Sequence, residues 1–181
     1  SSTPKILDPL FQLATTRYPD GGGFHMQYHP ITKAGVQAFA DEIEQLKKER
    51  PTRIKRLAEA AALGDRSENA EYSAAKRDLR QLESRMRYLD KLIRYAEIVP
   101  TPTGDTAEIG TQVTIEFGPA DDDTYALVGP KESGQSETNL ASDSPLGSAI
   151  LHHHVGDVVA VTAPAGSYQV TLTKIVVPDG L

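Results

Sequence analysis

Two long segments with helical periodicity flank a nine-residue stretch, Gly64 to Tyr72, and this arrangement constrains the fold more than any other feature. The segment after the stretch repeats apolar residues at alternating spacings of three and four, as in a coiled-coil seam: Leu79, Leu82, Met86, Leu89, Ile93 and Ala96. The segment before it starts at a candidate N-cap, Thr32, and carries the seam Val36, Phe39, Ile43 and Leu46. The pattern predicts an antiparallel helical hairpin with the stretch at its tip.

Pro51 interrupts the first seam. A proline inside a helix removes a hydrogen bond and kinks the axis, so the seam is expected to slip by about one residue and to resume at Ile54, Leu57 and Ala61. The return helix is predicted from about Ser67 to Glu97. Helices of about 30 residues reach about 45 Å, which is long enough to enter a deep channel.

The tip stretch carries three carboxylates within seven residues: Asp65, Glu68 and Glu71. Gly64 is expected to end the first helix, since glycine readily takes a positive φ. Asp65 and Glu68 are three residues apart and are able to face one side of the next helical turn. One interpretation is a capping box, with Asp65 as the N-cap and Glu68 at the third helical position. The other is a site for a hard cation such as Mg²⁺, completed by ligands from a partner macromolecule.

The composition is that of a soluble protein of one or two small units, with 39% hydrophobic and 24% charged residues. Cysteine is absent, so disulfides and thiolate metal sites are excluded, and no apolar run approaches the roughly 20 residues that span a membrane. These observations predict a cytoplasmic protein without a membrane partner.

Charge divides the chain into two parts. Residues 31–99 contain 15 Lys and Arg against 12 Asp and Glu, whereas residues 100–181 contain 2 against 11. A basic hairpin joined to an acidic domain suggests one surface for a polyanion and another for a protein. The alternative, that long exposed helices simply carry charges of both signs, stays open on composition alone.

The remainder of the chain predicts an α+β protein. Residues 1–30 are rich in proline and glycine and are interpreted as an N-terminal arm, residues 31–99 as the hairpin and residues 100–110 as a linker. The C-terminal domain, residues 111–181, is expected to hold a small antiparallel sheet packed on a short helix from Leu146 to His154. The predicted strands are 113–117, 125–128, 158–162 and 168–177.

Two further motifs invite a metal interpretation. Three consecutive helical residues point about 100° apart, so His152, His153 and His154 are interpreted as surface or cap histidines rather than ligands of one ion. The run Asp121 to Asp123 lacks EF-hand spacing and is predicted to be a hairpin loop.

The run Gly-Asp-Arg-Ser-Glu-Asn-Ala-Glu-Tyr-Ser-Ala-Ala-Lys-Arg, from Gly64 to Arg77, resembles the tip signature of the GreA/GreB family of bacterial transcript cleavage factors. The resemblance extends from about Ile31 to Val177 and includes Ile31-Thr32 with Gly35, and the run Ser142-Asp143-Ser144-Pro145-Leu146. It implies an FKBP-like fold for the C-terminal domain.

The resemblance also implies a function. Members bind bacterial RNA polymerase at its secondary channel and stimulate cleavage of the 3′ end of backtracked RNA, so the chain would not be an enzyme alone. Asp65 and Glu68 match the two catalytic acids that help hold a second Mg²⁺ jointly with polymerase. No ion is expected on the isolated protein. Glu71 and Tyr72 match supporting tip positions.

Other positions extend this hypothesis. Cations near the tip are candidates for contact with nucleic acid: Arg66, Lys76, Arg77 and Arg80. The residues that match the polymerase-binding loop of the family are Asp143, Ser144, Pro145 and Leu146.

Arg66 and Ser67 depart from the usual tip residues, which keeps a second function open. That alternative is a channel-binding regulator that competes or inhibits without promoting cleavage. A third hypothesis is an unrelated hairpin adaptor whose acidic domain binds another protein.

Overall fold

The computed structural model describes residues 27–64 and 69–178. Within these ranges the chain forms two compact units. The helical unit comprises residues 37–94, and the sheet unit comprises residues 27–36 together with residues 95–178. The tip residues 65–68 and most of the predicted N-terminal arm lie outside the described ranges.

Helix α1 runs from Lys33 to Ala61 and helix α2 from Ala70 to Arg94. Side-chain contacts cross between them at Glu42–Arg85, Arg50–Glu83, Arg56–Asp78 and Ala60–Asn69. Residue numbers on α2 fall as those on α1 rise, so the two helices are antiparallel, as the sequence predicts. No helix within the described ranges combines the length and apolar character needed to cross a membrane.

The seam of α1 does not slip at Pro51, and that prediction is wrong. Helix α1 continues through Pro51. Ile54 is 39% exposed, whereas Ala60 is buried in place of the predicted Ala61. The spacing of three and four continues without a break if arginines are admitted to it: Phe39, Ile43, Leu46, Arg50, Arg53, Leu57 and Ala60.

Arg50 and Arg53 occupy seam positions because they satisfy their charged ends across the hairpin. The Arg50 guanidinium donates to Glu83 at 2.9 Å, and Arg53 donates to the Asp78 carbonyl at 3.2 Å. Long arginine stems cover the neighbouring apolar surface while their heads stay hydrated. A search for hydrophobic periodicity alone does not identify such arginines as seam residues.

Helix α2 buries Leu82, Leu89 and Ile93 of the seam that the sequence predicts, but it ends three residues earlier than expected. Ala96 lies instead on a short strand, β2 (Ala96–Ile98), which pairs in parallel with β1 (His29–Ile31). Both strands belong to the sheet unit. Three-residue strands carry too short a pattern to be recognised by alternation.

The main sheet has the strand order β5-β4-β3-β7-β6. Its strands are β3 (Gln112–Gly118), β4 (Asp121–Val128), β5 (Asn139–Ala141), β6 (Val158–Ala163) and β7 (Gly166–Val176). Pairing is antiparallel for β3, β4, β6 and β7 as predicted, whereas β5, which the sequence did not reveal, pairs in parallel with β4. The sheet is therefore mixed.

The core of the sheet unit lies beneath the short helix α3 (Pro145–Ile150). Its fully buried side chains include Val113, Ile115, Leu127, Ile150, Val161 and Leu172. Ala107 from the segment 100–110 is also fully buried, and its amide donates to the His153 carbonyl at 2.9 Å. The segment therefore packs with the sheet.

The aspartate run and the histidine run both lie in the sheet unit, and the hairpin-loop prediction for Asp121 to Asp123 is wrong. Asp121 to Asp123 lie on β4 rather than in a loop, because the turn is made by Pro119 and Ala120, whose φ is 59°. His153 Nδ1 lies 3.0 Å from Asp157, and the His154 amide donates to the same carboxylate. That amide and His153 lower the pKa of Asp157.

A buried carboxylate joins the start of α1 to the rest of the sheet unit. Glu132 is 1% exposed and accepts hydrogen bonds from the Thr32 amide at 3.0 Å, the Thr32 hydroxyl and the Gly129 amide at 2.8 Å. Thr32 is the predicted N-cap, since its hydroxyl accepts from the Gly35 amide at 3.0 Å. A Cβ at Gly35 would overlap the Glu132 carboxylate, so only glycine fits there.

The stability of the sheet unit should depend on pH through Glu132. Burial raises the pKa of Glu132 above its ordinary value of 4.5, against the opposing effect of its hydrogen bonds. The folded state then holds the proton more tightly than the unfolded chain does. This contribution to the free energy of unfolding is full below the unfolded pKa and is lost as pH rises through the folded pKa. Denaturant titrations at pH values across this range should show that the free energy of unfolding falls more steeply with rising pH for wild type than for Glu132→Gln. Parallel curves for the two proteins would contradict the assignment of this pH dependence to Glu132.

Candidate functional site

The tip of the hairpin is slim where the two helices meet. Ala60 on α1 is 4% exposed and Ala75 on α2 is 1% exposed, and such small side chains allow helices to approach closely. After α1 ends at Ala61, Gly64 takes a φ of 122°, as its predicted role as a helix terminator requires. The hairpin therefore narrows toward the segment that carries Asp65 and Glu68.

Asn69 caps the first turn of α2. Its carbonyl accepts the first helical hydrogen bond from the Ser73 amide at 3.1 Å, and its side-chain oxygen accepts from the Tyr72 amide at 3.0 Å. These are the two bonds that define an N-cap residue. Asn69 is therefore the N-cap of the helix that begins at Ala70. The capping-box interpretation concerns Asp65 and Glu68, which lie outside the described residues.

Asp65, Arg66 and Glu68 lie outside the described residues, so their predicted roles stay predictions. Within residues 27–64 and 69–178, no group of three or more His, Asp or Glu side chains is arranged to hold a metal ion. Two carboxylates nevertheless fit Mg²⁺ in ligand type, since Mg²⁺ binds oxygen and retains several waters.

The predicted supporting residues lie in the first turn of α2. Glu71 is exposed near the helix N-terminus, where a negative charge is favourable. Tyr72 is half-buried, and Lys76 Nζ lies 5.9 Å from the centroid of its ring. Tyr72 thus connects the tip to the basic residues that follow.

A concave basic stripe follows one face of α2 away from the tip. Its volume is about 710 Å³, and it is lined by Ser73, Lys76, Arg77, Arg80, Gln81, Ser84, Arg85 and Tyr88. The structure thus brings three of the four predicted RNA-facing residues together. The sequence analysis missed the other lining residues, although their spacing of one and three residues marks a single helical face.

Lys76, Arg77 and Arg80 keep the basic stripe positive because the acids on the same stretch of α2 pair with arginines of α1. On α2, Asp78 pairs with Arg56 and Glu83 pairs with Arg50. No carboxylate lines the stripe, and none of the ion pairs found within the described ranges involves Lys76, Arg77 or Arg80. Such a surface suits a chain of phosphates.

The end of the basic stripe farthest from the tip presents an aromatic face. Tyr88 is 44% exposed, and Arg85 lies 5.6 Å from its ring centroid. Glu42 fixes that arginine through bonds of 2.8 and 3.1 Å. An exposed ring beside cations is typical of surfaces on which unpaired bases stack.

The predicted polymerase-binding residues form the turn that leads into α3. Ser144 is the N-cap: its hydroxyl donates to the Ala141 carbonyl at 2.7 Å and accepts from the Gly147 amide at 3.1 Å. Asp143 and Pro145 are exposed on either side of it, whereas Leu146 is half-buried against the core. The turn thus offers Asp143 and Pro145 to a partner, while Ser144 and Leu146 hold its shape.

Comparisons with known proteins cover both units. A family model described as "Transcription elongation factor, N-terminal" matches residues 29–98, and one described as "Transcription elongation factor, GreA/GreB, C-term" matches residues 101–176. Transcription elongation factor GreA 1 of Lactiplantibacillus plantarum is 52% identical over 149 residues, which cover 82% of this chain and 96% of that protein.

More distant relatives align over the same share of the chain. Transcription elongation factor GreA of Thermomicrobium roseum is 36% identical over 150 residues, covering 81% of this chain and 96% of the relative. The GreA of Streptococcus mutans is 36% identical over 151 residues, with coverage of 81% and 94%. The chain belongs to the GreA/GreB family of transcription elongation factors.

Proposed function

We propose that this protein inserts its hairpin into RNA polymerase and stimulates cleavage of the 3′ end of backtracked RNA, which rescues arrested complexes. The observation that carries the proposal is the end of the hairpin, where Ala60 and Ala75 are buried and Asn69 serves as the N-cap of α2. Helices of 29 and 25 residues give a reach of roughly 40 Å.

Asp65 and Glu68 would hold Mg²⁺ jointly with carboxylates of the polymerase, because two acids alone bind this ion weakly. When bound, the ion supplies an activated water and stabilises the charge that develops on the phosphate. Glu71 would add negative charge nearby, and Tyr72 would keep Lys76 in place. The protein thus contributes ligands, and polymerase carries out the reaction.

The basic stripe would guide the extruded RNA. Lys76, Arg77 and Arg80 lie within the first three turns of α2, so a strand that reaches the tip would pass them. Arg66 would add to this contact from the tip itself. Phosphate contacts position a strand without reading its sequence, which suits RNA of any sequence.

Replacing Lys76, Arg77 and Arg80 together by Ala should weaken this guidance. We expect the protein concentration for half-maximal cleavage to rise about tenfold at moderate salt and its dependence on salt to become shallower, since up to three phosphate contacts are lost. The matched control is Lys47→Ala with Lys48→Ala and Lys55→Ala, which removes the same charge from exposed sites on α1. Equal effects of the two triple variants would indicate general charge rather than the stripe.

Docking to polymerase is assigned to Asp143 and Pro145, supported by Ser144 and Leu146. The exposed carboxylate of Asp143 would pair with a cation on the polymerase, and Pro145 would provide a rigid apolar contact. The acidic balance of residues 100–181 agrees with a basic partner surface.

The direct test is a backtracked elongation complex with labelled RNA, incubated in Mg²⁺ with and without the protein. Release of short 3′ fragments at a rate well above that of polymerase alone would support the proposal. Tight binding of the complex without fragment release would instead favour the competing regulator. Failure to bind polymerase at all would favour the adaptor hypothesis.

A further inference from the structure

Tyr88 is an exposed aromatic residue at a position where the packing of the hairpin does not require one. It directly precedes Leu89 of the buried seam, so it leaves α2 about 100° away from that seam, in the row of the basic stripe. The residue is 44% exposed. Tyrosine is also a weaker helix former than lysine or arginine, so neither packing nor helix propensity explains its presence there.

The Tyr88 ring lies beside a guanidinium group that is itself fixed. Arg85 lies over the ring, 5.6 Å from its centroid, and donates from Nε and Nη2 to the two carboxylate oxygens of Glu42 on α1. Because Glu42 offsets the charge of Arg85, this end of the stripe adds little net positive charge. It offers instead a flat aromatic surface that a planar, hydrogen-bonded arginine holds in place.

The charged part and the aromatic part of the stripe lie at different distances from the tip. In the part of the chain that the structure describes, Lys76, Arg77 and Arg80 enter into none of the ion pairs found, and Tyr88 lies about 18 Å along the helix axis from Lys76. Cations bind the phosphates of a strand, whereas aromatic rings stack with the faces of its bases. The stripe therefore has a surface for each part of an unpaired strand.

We propose that Tyr88 is a stacking subsite for one unpaired base of a single-stranded RNA that lies along the basic stripe. The source of that RNA rests on the proposed function: it is the extruded 3′ segment of the transcript. Tyr88 lies about 27 Å from the start of α2, and a strand that advances about 3.4 Å per nucleotide covers this distance with about eight nucleotides. A short extruded segment would not reach the ring.

The first test is equilibrium binding of the whole protein to a fluorescent RNA of about ten adenosines. Tyr88→Ala should weaken binding about tenfold, because it removes a base-stacking contact, whereas Tyr88→Phe should bind as wild type does. The slope of log affinity against log salt should be the same for wild type and Tyr88→Ala, since no phosphate contact is lost. A strand of the same length without bases should bind equally well to both.

Three outcomes of this test would overturn the subsite. These are failure of wild type to bind the adenosine strand at low salt, equal affinities of wild type and Tyr88→Ala for it, and an equal loss on the strand without bases. The control is Tyr28→Ala, which removes an exposed tyrosine of the sheet unit and should leave RNA binding unchanged.

The second test measures the affinity of the protein for backtracked complexes of two depths. Tyr88→Ala should raise the Kd about tenfold when about ten nucleotides are extruded and leave it unchanged when about two are extruded. Equal effects at both depths would refute the assignment of the subsite to extruded RNA. Both tests measure binding alone, so absence of cleavage by wild type would refute the proposed function without altering their outcome.

Discussion

Replacing Asp65 and Glu68 together by Ala should lower the rate of RNA cleavage in a backtracked complex by at least about a hundredfold. The two carboxylates would be this protein's ligands for the shared Mg²⁺, and charge stabilisation of this kind is commonly the largest contribution to catalysis. The double variant should still bind polymerase, because docking is assigned to the turn at Asp143 and Pro145. Cleavage at saturating protein and binding in a separate titration measure the two effects.

The hairpin offers a closely matched control. Asp41 and Glu44 are also an acid pair three residues apart, and both are exposed on α1. Asp41→Ala with Glu44→Ala removes the same charge from a site remote from the tip and should leave cleavage close to wild type. If both double variants cleave equally well, the tip acids do not act on the reaction.

Replacing Glu132 by Ala should reduce the free energy of unfolding of the sheet unit by about 3 kcal/mol. The change leaves three buried donors without their acceptor: the Thr32 amide, the Thr32 hydroxyl and the Gly129 amide. Losing the desolvation cost of the carboxylate offsets part of this loss but not all of it. Denaturant unfolding monitored by circular dichroism would measure the change.

Two comparison variants make the result interpretable. In Glu132→Gln, the amide oxygen is able to accept from both backbone N–H groups while the nitrogen donates to the Thr32 hydroxyl oxygen, so the loss should be well below that of the alanine variant. Glu137→Ala removes an exposed glutamate five residues away and should change stability by less than about 0.5 kcal/mol. A loss for Glu132→Ala as small as that of Glu137→Ala would show that the buried network contributes little.

The long elements could be predicted from the sequence because their patterns repeat over many residues. Thr32 as a cap, the seam of α2 and the strands β3, β6 and β7 all follow from local spacing. The seam of α1 beyond Pro51 could not be predicted in this way. Arg50 and Arg53 occupy seam positions by bonding to α2, and such bonds depend on the partner helix. Glu132 was missed for a similar reason, because two of its three donors belong to Thr32, 100 residues away in sequence.

The tip shows both the strength and the limit of reading a motif. The signature from Gly64 to Arg77 indicated the family, and Gly64 was correctly expected to end α1. Local rules nevertheless gave the cap to Asp65, although Asn69 is a strong capping residue placed three positions before Tyr72. Asp65 and Asn69 were both suitable N-cap residues by type. The start of α2 at Ala70 identifies Asn69 as the cap.

The parallel pairing of β1 with β2 makes the whole hairpin an insertion between two neighbouring strands. Parallel strands require a long crossover connection, and here that connection is the pair of helices from Lys33 to Arg94. Because His29 lies opposite Ala96, the chain leaves and re-enters the sheet unit at adjacent points. Matched deletion or addition of one heptad in each helix would then change the reach of the tip by about 10 Å while leaving the strand pair intact. Hairpin length is thus a dimension that can be changed independently of the sheet unit.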